Sequence, residues 1–557
     1  MSQERLIYVP LGGAGEIGMN MYAYGWGVPG KERFILVDVG VTFPSMNGTP
    51  GVDLIVADPG WIADQADRLD GIFITHAHED HIGGLGMIFD RLSAPIYCRR
   101  FTGMVARAKM ADWNRDEDQI TVLPPYPDMT DVGPFKVGIL PVSHSIPEAG
   151  GLVIDTPKGR IVHTGDLKLD PSPIVGDPFN PAMLREVAKP GVKALVCDST
   201  NVFSPLPGRS ESELREPIRD LIATAEGLAV ATTFASNIAR LKTLAQAGVE
   251  AGRSVCVLGR SMQRMLRFAR DAELLGDFPP VVDLEEAQDI PRQNLMLLVT
   301  GSQGERRAAS AHLANGKYLG FTMKEGDMFL FSSKTIPGNE IEVGRIINAF
   351  AAQGVRVVDD SSGLYHVSGH ANRPDLEQVH DLLAPEVLIP MHGEYRHLLE
   401  HANLGKAKGI PSLVVPNGAI ADLTSKHPQI VEHVDAGRVY LDGSELIGAY
   451  DGIVLNRIRM ATRGMVAASV ILEDDALLGV WVETIGLPDP HKGREDLADL
   501  VEREMEDEID LIPAKTLRRD DDVIERLERR IAHICRDLIG KKPVVRVLLN
   551  RLEAESG

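Results

Sequence analysis

The chain has 557 residues, too many for one ordinary core, and about three domains are expected. A composition of 44% hydrophobic and 25% charged residues describes a globular chain, with no apolar run near the ~20 residues needed to span a bilayer. The net charge of −21 at first disfavours a polyanionic partner, although local fields rather than net charge decide binding in a groove.

The opening residues Met1 to Arg5 lead into a strand-like segment without a signal-peptide pattern. Cys98, Cys197, Cys256 and Cys535 are scattered and lack CxxC spacing, which argues against a disulfide framework and against cysteine metal ligands. A cytoplasmic location with no membrane partner is expected.

Residues 1 to about 200 read as short apolar strands between Gly, Pro and Asp turns, among them Leu6–Val9, Phe34–Val37, Val137–Leu140 and Ala194–Cys197. The loop Gly13-Ala14-Gly15-Glu16-Ile17-Gly18 matches GxGxxG, and Asp38 ends the next strand. A dinucleotide site needs a helix N-terminus after the last glycine. Met19 to Tyr24 looks extended instead, so a glycine-rich hairpin beside a metal site is expected, with Asp38 buried near the ligands.

The run His76-Ala77-His78-Glu79-Asp80-His81 follows the apolar segment Gly71 to Ile74 and packs three imidazoles and a carboxylate into six positions. Such groups are the usual ligands of Zn²⁺ and related divalent ions. His76 and His78 can converge on one ion while Asp80 and His81 turn toward a second. Gly83-Gly84 suits a tight helix start where a side chain would crowd the ions. Two further candidates end apolar strands: His144 as a ligand, and Asp166 as a carboxylate bridging both ions. His163 is expected on the opposite strand face.

From about 210 to 365 the pattern alternates between helix and strand. Helices are expected after Ser210, from Asn237 and from Ser261, with strands Leu228–Thr232, Ser254–Leu258, Leu295–Val299 and Met328–Phe331. That alternation implies a parallel α/β domain. Arg253, Arg260, Arg264, Arg267 and Arg270 have no acid between them, and Arg260, Arg264 and Arg267 share one helix face. They form either a solvated face or a phosphate-contacting surface. A polar, hinge-like stretch follows at 424–450. The tail is a small α+β unit: strands Met465–Leu472 and Leu477–Thr484, helices Arg494–Glu508 and Asp522–Ile539, and strand Val544–Leu549.

The ligand pattern resembles that of the metallo-β-lactamase fold. Cys197-Asp198-Ser199-Thr200, His366-Val367-Ser368-Gly369-His370 and Pro390-Met391-His392-Gly393-Glu394 resemble motifs A, B and C of the β-CASP nucleases. Leu11 to Asn20 and Thr300-Gly301-Ser302-Gln303-Gly304-Glu305 are similar to the bacterial ribonuclease J family, with a local departure at Arg306-Arg307.

The resemblance implies an αββα sandwich interrupted by a β-CASP parallel α/β domain, followed by a small C-terminal α+β domain. The implied boundaries are 1–208 and 369–425 for the sandwich, 209–368 for the insertion, 426–462 for a linker and 463–557 for the tail. It also implies one ion on His76, His78 and His144, a second on Asp80, His81 and His392, and Asp166 between them. Zn²⁺ suits that set best, with Mn²⁺ or Mg²⁺ as alternatives. RNA phosphate would be held by the segment His366, Val367, Ser368, Gly369 and His370 and by the loop Ala235, Ser236 and Asn237. Asp80 would orient a water, and Asp198 with His370 would relay a proton.

The implied activity is two-metal, hydroxide-driven hydrolysis of single-stranded RNA, 5′→3′ from a 5′-monophosphate and also internally, in mRNA decay and rRNA maturation. The RNA 2′-hydroxyl is not consumed, so any preference for RNA must come from groove contacts. A homodimer or homotetramer built through the tail, and RNA-decay protein partners, are also implied. The competing classes are a small-molecule hydrolase, which would lack motifs A to C, a DNA-directed relative, and a non-catalytic RNA scaffold, which would have lost ligands.

Overall fold

A computed structural model describes residues 4–336, 338–473, 475–490 and 496–552. Apolar strands with both faces covered need two layers of partners, and the first unit supplies them as two facing sheets. One runs Gln429–His433, Ala419–Asp422, Arg5–Gly12, Met21–Gly27, Arg33–Val37, Leu69–Phe73, Ile96–Cys98 and Ile120–Val122. The other runs Thr130–Val132, Phe135–Pro141, Gly150–Thr156, Gly159–His163, Val192–Asp198 and Leu388–Met391. Their inner faces meet in a core that includes Tyr8, Tyr24, Val37, Phe73, Ile139, Ile154, Val196 and Ile389. Outside lie the helices Leu85–Leu92 and Arg100–Asp112 on one flank, and Pro181–Ala188, Arg373–Leu383 and Tyr395–Ala407 on the other. The result is the expected αββα sandwich.

Val192–Asp198 and Leu388–Met391 pair in parallel, Asp198 opposite Met391, although a whole domain separates them in the chain. That domain is a five-stranded, all-parallel sheet in the order Ser254–Leu258, Leu295–Val299, Ala229–Thr232, Met328–Phe331, Arg356–Val358. The helix Ile238–Glu250 begins beside the expected residue, with the Asn237 side chain as its cap. The helix Arg260–Asp271 buries Met262, Met265, Leu266 and Ala269 and exposes Arg260, Arg264, Arg267 and Arg270. Arg253 does not belong with them. It is buried and donates to the carbonyls of Gly227, Leu295 and Ala225, so its charge serves the backbone.

Met21–Gly27 is a strand, so no helix N-terminus follows Gly18 to receive a pyrophosphate. Gly83 is hemmed in by the Glu79 carbonyl and Val41 rather than by metal ligands: an added Cβ would lie 2.5 Å and 2.6 Å from them. The polar stretch after residue 424 contributes the edge strand Gln429–His433, paired with Ala419–Asp422.

The second unit comprises Phe43–Ile55 and Val439–Gly557. Within it, Asp53 N–H donates to the Leu441 carbonyl, and a three-stranded sheet orders Ala476–Ile485, Met465–Glu473 and Val544–Leu552. Helices Leu497–Asp510 and Asp520–Ile539 cover one face through Val466, Val470, Val501, Leu527 and Ile531. Arg494, expected to start the first of these helices, lies outside the described residues. Among the described residues no helix is long and apolar enough to cross a membrane.

Helices Arg373–Leu383 and Tyr395–Ala407 contribute a stacked, buried imidazole pair: His380 and His401 have centroids 5.1 Å apart and Nε2 atoms 3.0 Å apart. Burial, reinforced by Lys408, pushes His380 down to about 4; burial, reinforced by His380, pushes His401 down to about 3. Both rings are neutral in the fold but take up protons in the unfolded chain below about pH 6.5. Folding stability is therefore fully present above that pH and declines as pH falls toward 4. Thermal unfolding midpoints between pH 7.5 and 4.5 should fall with acid, and less steeply in His401→Gln; an unchanged slope in that variant would contradict the assignment.

Candidate active site

Strand ends and short loops are where side chains can converge without breaking a ladder, and four such ends meet here. His76 and His78 follow strand Leu69–Phe73, His144 follows Phe135–Pro141, Asp166 follows Gly159–His163, and His392 follows Leu388–Met391. His78 Nδ1 lies 3.0 Å from both His76 Nε2 and His144 Nε2. Asp166 Oδ2 is 3.7 Å from His76 Nε2 and 3.6 Å from His144 Nε2. On its other side, Asp166 Oδ2 is 3.3 Å from His81 Nε2, and Asp166 Oδ1 is 3.7 Å from His392 Nε2. Asp80 Oδ2 completes that second group, 3.1 Å from His392 Nε2 and 3.5 Å from His81 Nε2. The ligand atoms within each group of four lie within 4.8 Å of one another.

These donors fit divalent cations on the molecule's own chemistry. Three imidazole nitrogens aimed at one point cannot all be satisfied by shared protons. Asp166 Oδ1 is also buried without a hydrogen-bond partner. The two groups differ in protonation. Burial, helped by the neighbouring imidazoles, holds His76 and His144 well below their ordinary range, and burial brings His78 down to about 4. Burial also opposes the His81 and His392 cations, but Asp166, Asp80 and their neighbours outweigh it and raise both. Metal uptake in the second group therefore releases protons.

Surrounding groups fix which nitrogen faces the centre. The His144 Nδ1–H donates to the Gly369 carbonyl at 2.6 Å, and His81 Nδ1 meets the Asp38 carboxylate at 2.7 Å. Asp38 also accepts from the Thr75 N–H and hydroxyl. Thr200 Oγ1 bridges His392 Nδ1 at 2.8 Å and Asp198 Oδ1 at 2.7 Å. Asp38 and His392 both hold left-handed backbone, φ 63° and 50°, a conformation that costs a non-glycine residue about 1–2 kcal/mol. Gly40 lets the chain pass under the histidine loop, because a Cβ there would sit 1.7 Å from the Asp80 carbonyl.

Beside the centre, His370 Nδ1 is 2.8 Å from Asp198 Oδ2. Burial works against the His370 cation, yet Asp198 and Asp166 prevail and hold it up at about 9. Ser368 Oγ accepts from Asn201 Nδ2 at 2.8 Å, and His366 Nδ1 lies 3.0 Å from an Arg240 N–H donor. The Val367 side chain is buried, and its carbonyl accepts from Arg240 Nη2 at 3.4 Å. Gly369, half-buried, backs His144 through its carbonyl. Ala235 and Ser236 are half-buried and Asn237 is buried as a helix cap, joined to His366 through Arg240. His163 stays outside the ligand groups, its Nδ1 on the Tyr24 hydroxyl at 2.9 Å. Sequence reading missed Thr200, Asn201, Arg240 and Asn20, whose amide lies 3.0 Å from His81 Nε2. Only Asn20 and Thr200 sat inside segments already singled out.

Four family models match the chain. The metallo-β-lactamase superfamily covers residues 20–223 and the β-CASP domain of ribonuclease J covers 226–350. The Zn-dependent metallo-hydrolase RNA specificity domain covers 361–416, and the ribonuclease J C-terminal domain 452–552. A ribonuclease J of Sinorhizobium meliloti is 40% identical over 99% of this chain and 98% of its own length. Ribonuclease J of Thermus thermophilus is 34% identical over 86% of this chain and 84% of its own. Among solved structures, a protein of unknown function from Enterococcus faecalis has TM-score 0.51 and 17% identity over 75% of this chain and 100% of that one, a likeness of fold.

Since Asp38 sets the orientation of His81, Asp38→Asn should weaken metal affinity about 10- to 100-fold, measured by competition against a coloured chelator. Wild-type affinity in the variant would remove Asp38 from the metal-orienting set.

Proposed function

Because the chain belongs to the ribonuclease J family, and is thereby a metal-dependent ribonuclease, we propose that it degrades single-stranded RNA 5′→3′ from a 5′-monophosphate end and also cuts internally. The observation carrying this reading is the pair of ligand groups sharing Asp166, set against the Asp198–His370 pair and the 366–370 segment. The proposed cages are His76, His78 and His144 with Asp166, and Asp80, His81 and His392 with Asp166. Two divalent cations, best matched by Zn²⁺, would supply Lewis acidity toward the phosphodiester and a water acidic enough to attack at neutral pH.

The chain's own groups do the remaining work. Burial disfavours the Asp80 carboxylate, but His81 and His392 keep it ionised, free to accept a hydrogen bond from the attacking water and aim it. Ser368 and His366 hold a phosphate oxygen by neutral donors. His370, protonated and held by Asp198, gives its proton to the departing oxygen as the P–O bond breaks. The setting we propose is cytoplasmic mRNA decay and rRNA maturation, with protein partners in RNA decay.

We further propose that the C-terminal sheet joins copies of the chain into a homodimer or homotetramer. Its strand Met465–Glu473 buries alternate residues against the helices, and the opposite face carries Trp481 and Leu548, 58% and 66% exposed, both in register with Ser469.

Three measurements test these readings. RNA carrying a 5′-monophosphate should be hydrolysed faster than its 5′-triphosphate or DNA counterpart. His76→Ala and Asp166→Ala should abolish hydrolysis with circular dichroism intact, and His370→Ala should lower kcat by about 10²–10⁴-fold. Full activity in either ligand variant would refute the metal assignment. For assembly, sedimentation of a chain ending near Thr462 should show a smaller species, and an unchanged size would exclude the tail as the joint.

A further inference from the structure

Arg240 is wholly buried in the first turn of helix Ile238–Glu250, and its guanidinium contacts parts of the chain that the sequence keeps far apart. Nε and Nη2 grip the Glu211 carboxylate at 2.5 Å and 2.8 Å. Nη1 donates to the Ser332 carbonyl at 2.7 Å and to His366 Nδ1 at 3.0 Å, while Nη2 reaches the Val367 carbonyl at 3.4 Å. The Arg240 backbone N–H is the donor to the Asn237 cap, at 2.9 Å. One residue, through its backbone N–H on one side and its guanidinium on the other, thus ties the 235–237 loop to the 366–370 segment.

Glu211 is braced in turn. Its N–H donates to Asp170 Oδ2 at 3.1 Å, and Asp170 pairs with Lys168 at 3.0 Å, two residues beyond Asp166. The Lys168 N–H ends the run on the Ser143 carbonyl, next to His144.

A guanidinium has donors and no acceptor. His366 Nδ1 must therefore accept, which places the ring's proton on Nε2 and leaves the imidazole neutral. Burial together with the nearby Arg240 and Lys334 also disfavours the His366 cation. A cradle of neutral, oriented donors rewards fit rather than charge, so a triphosphate gains nothing there from its extra anionic groups.

We propose that Arg240, braced by Glu211, is a positioning residue that fixes His366 as a neutral Nε2–H donor, holds the 235–237 and 366–370 segments in register, and so sets the preference for a 5′-monophosphate end. The inference rests on the 5′-monophosphate reading above.

The test compares Arg240→Gln, Arg240→Lys and the double variant Arg240→Gln/Glu211→Gln on RNAs identical except for a 5′-monophosphate or a 5′-hydroxyl. The double variant removes both buried charges together and so avoids stranding one of them. The monophosphate-to-hydroxyl ratio of kcat/KM should fall about tenfold or more in Arg240→Gln, as for loss of a hydrogen bond to a charged group. The loss should lie mainly in KM of the monophosphate RNA, with Arg240→Lys intermediate. Should the single variant unfold, the double variant decides, with the same loss of ratio expected. A retained ratio, or equal losses on both RNAs, overturns the positioning role while leaving the proposed function standing. A wild-type enzyme indifferent to the 5′ group overturns the 5′-monophosphate reading and this inference with it.

Discussion

The parallel pairing of Val192–Asp198 with Leu388–Met391 is the constraint on which the site depends. It closes the sandwich across an entire inserted domain and sets Asp198 beside Met391, so that the following His392 swings toward Asp80 and Asp166. Without that ladder the second ligand group would lack a member, and Thr200 would have no imidazole to brace. Closing so long a loop costs little more than closing a shorter one, because the entropy grows only with the logarithm of length. The insertion is thus tolerated, and it arrives with its own core around Phe329 and Phe350.

Electrostatics inside the centre follow from geometry. Asp166 is buried among imidazoles, and that crowding keeps its carboxyl ionised against the pull of burial. The outward ring nitrogens of His144, His81, His392 and His76 are engaged by Gly369, Asp38, Thr200 and Thr75. Such outer partners set tautomer and ring angle, which a ligand needs as much as proximity. The left-handed backbone at Asp38 and His392 is the strain that this precision costs.

The apolar strands of residues 1 to about 200, the inserted parallel domain and the first ligands were legible because each is written in contiguous residues. The αββα sandwich, closed by a return segment far along the chain, came through resemblance. His76, His78, Asp80 and His81 lie within one loop, and the parallel strands Ser254–Leu258 and Leu295–Val299 stand at the residues their apolar runs delimit. His392 was reachable only through resemblance, since nothing local ties it to Asp166. Arg240 was invisible for a related reason: one arginine in an amphipathic helix looks like a solvent-facing residue, and only the fold shows it buried between Glu211 and His366. Arg253 erred the other way, grouped with a basic helix face by spacing when its neighbours in space are carbonyls.

The carbonyl of Gly369 answers His144, although its segment carries His366, Ser368 and His370. The same short stretch of backbone therefore serves as both hand and wrist: whatever nudges the fingers also turns the joint behind them. Swapping residues there would also turn the imidazole of His144 in the same stroke. A designer who wants that ring left undisturbed must look to the loops beyond it.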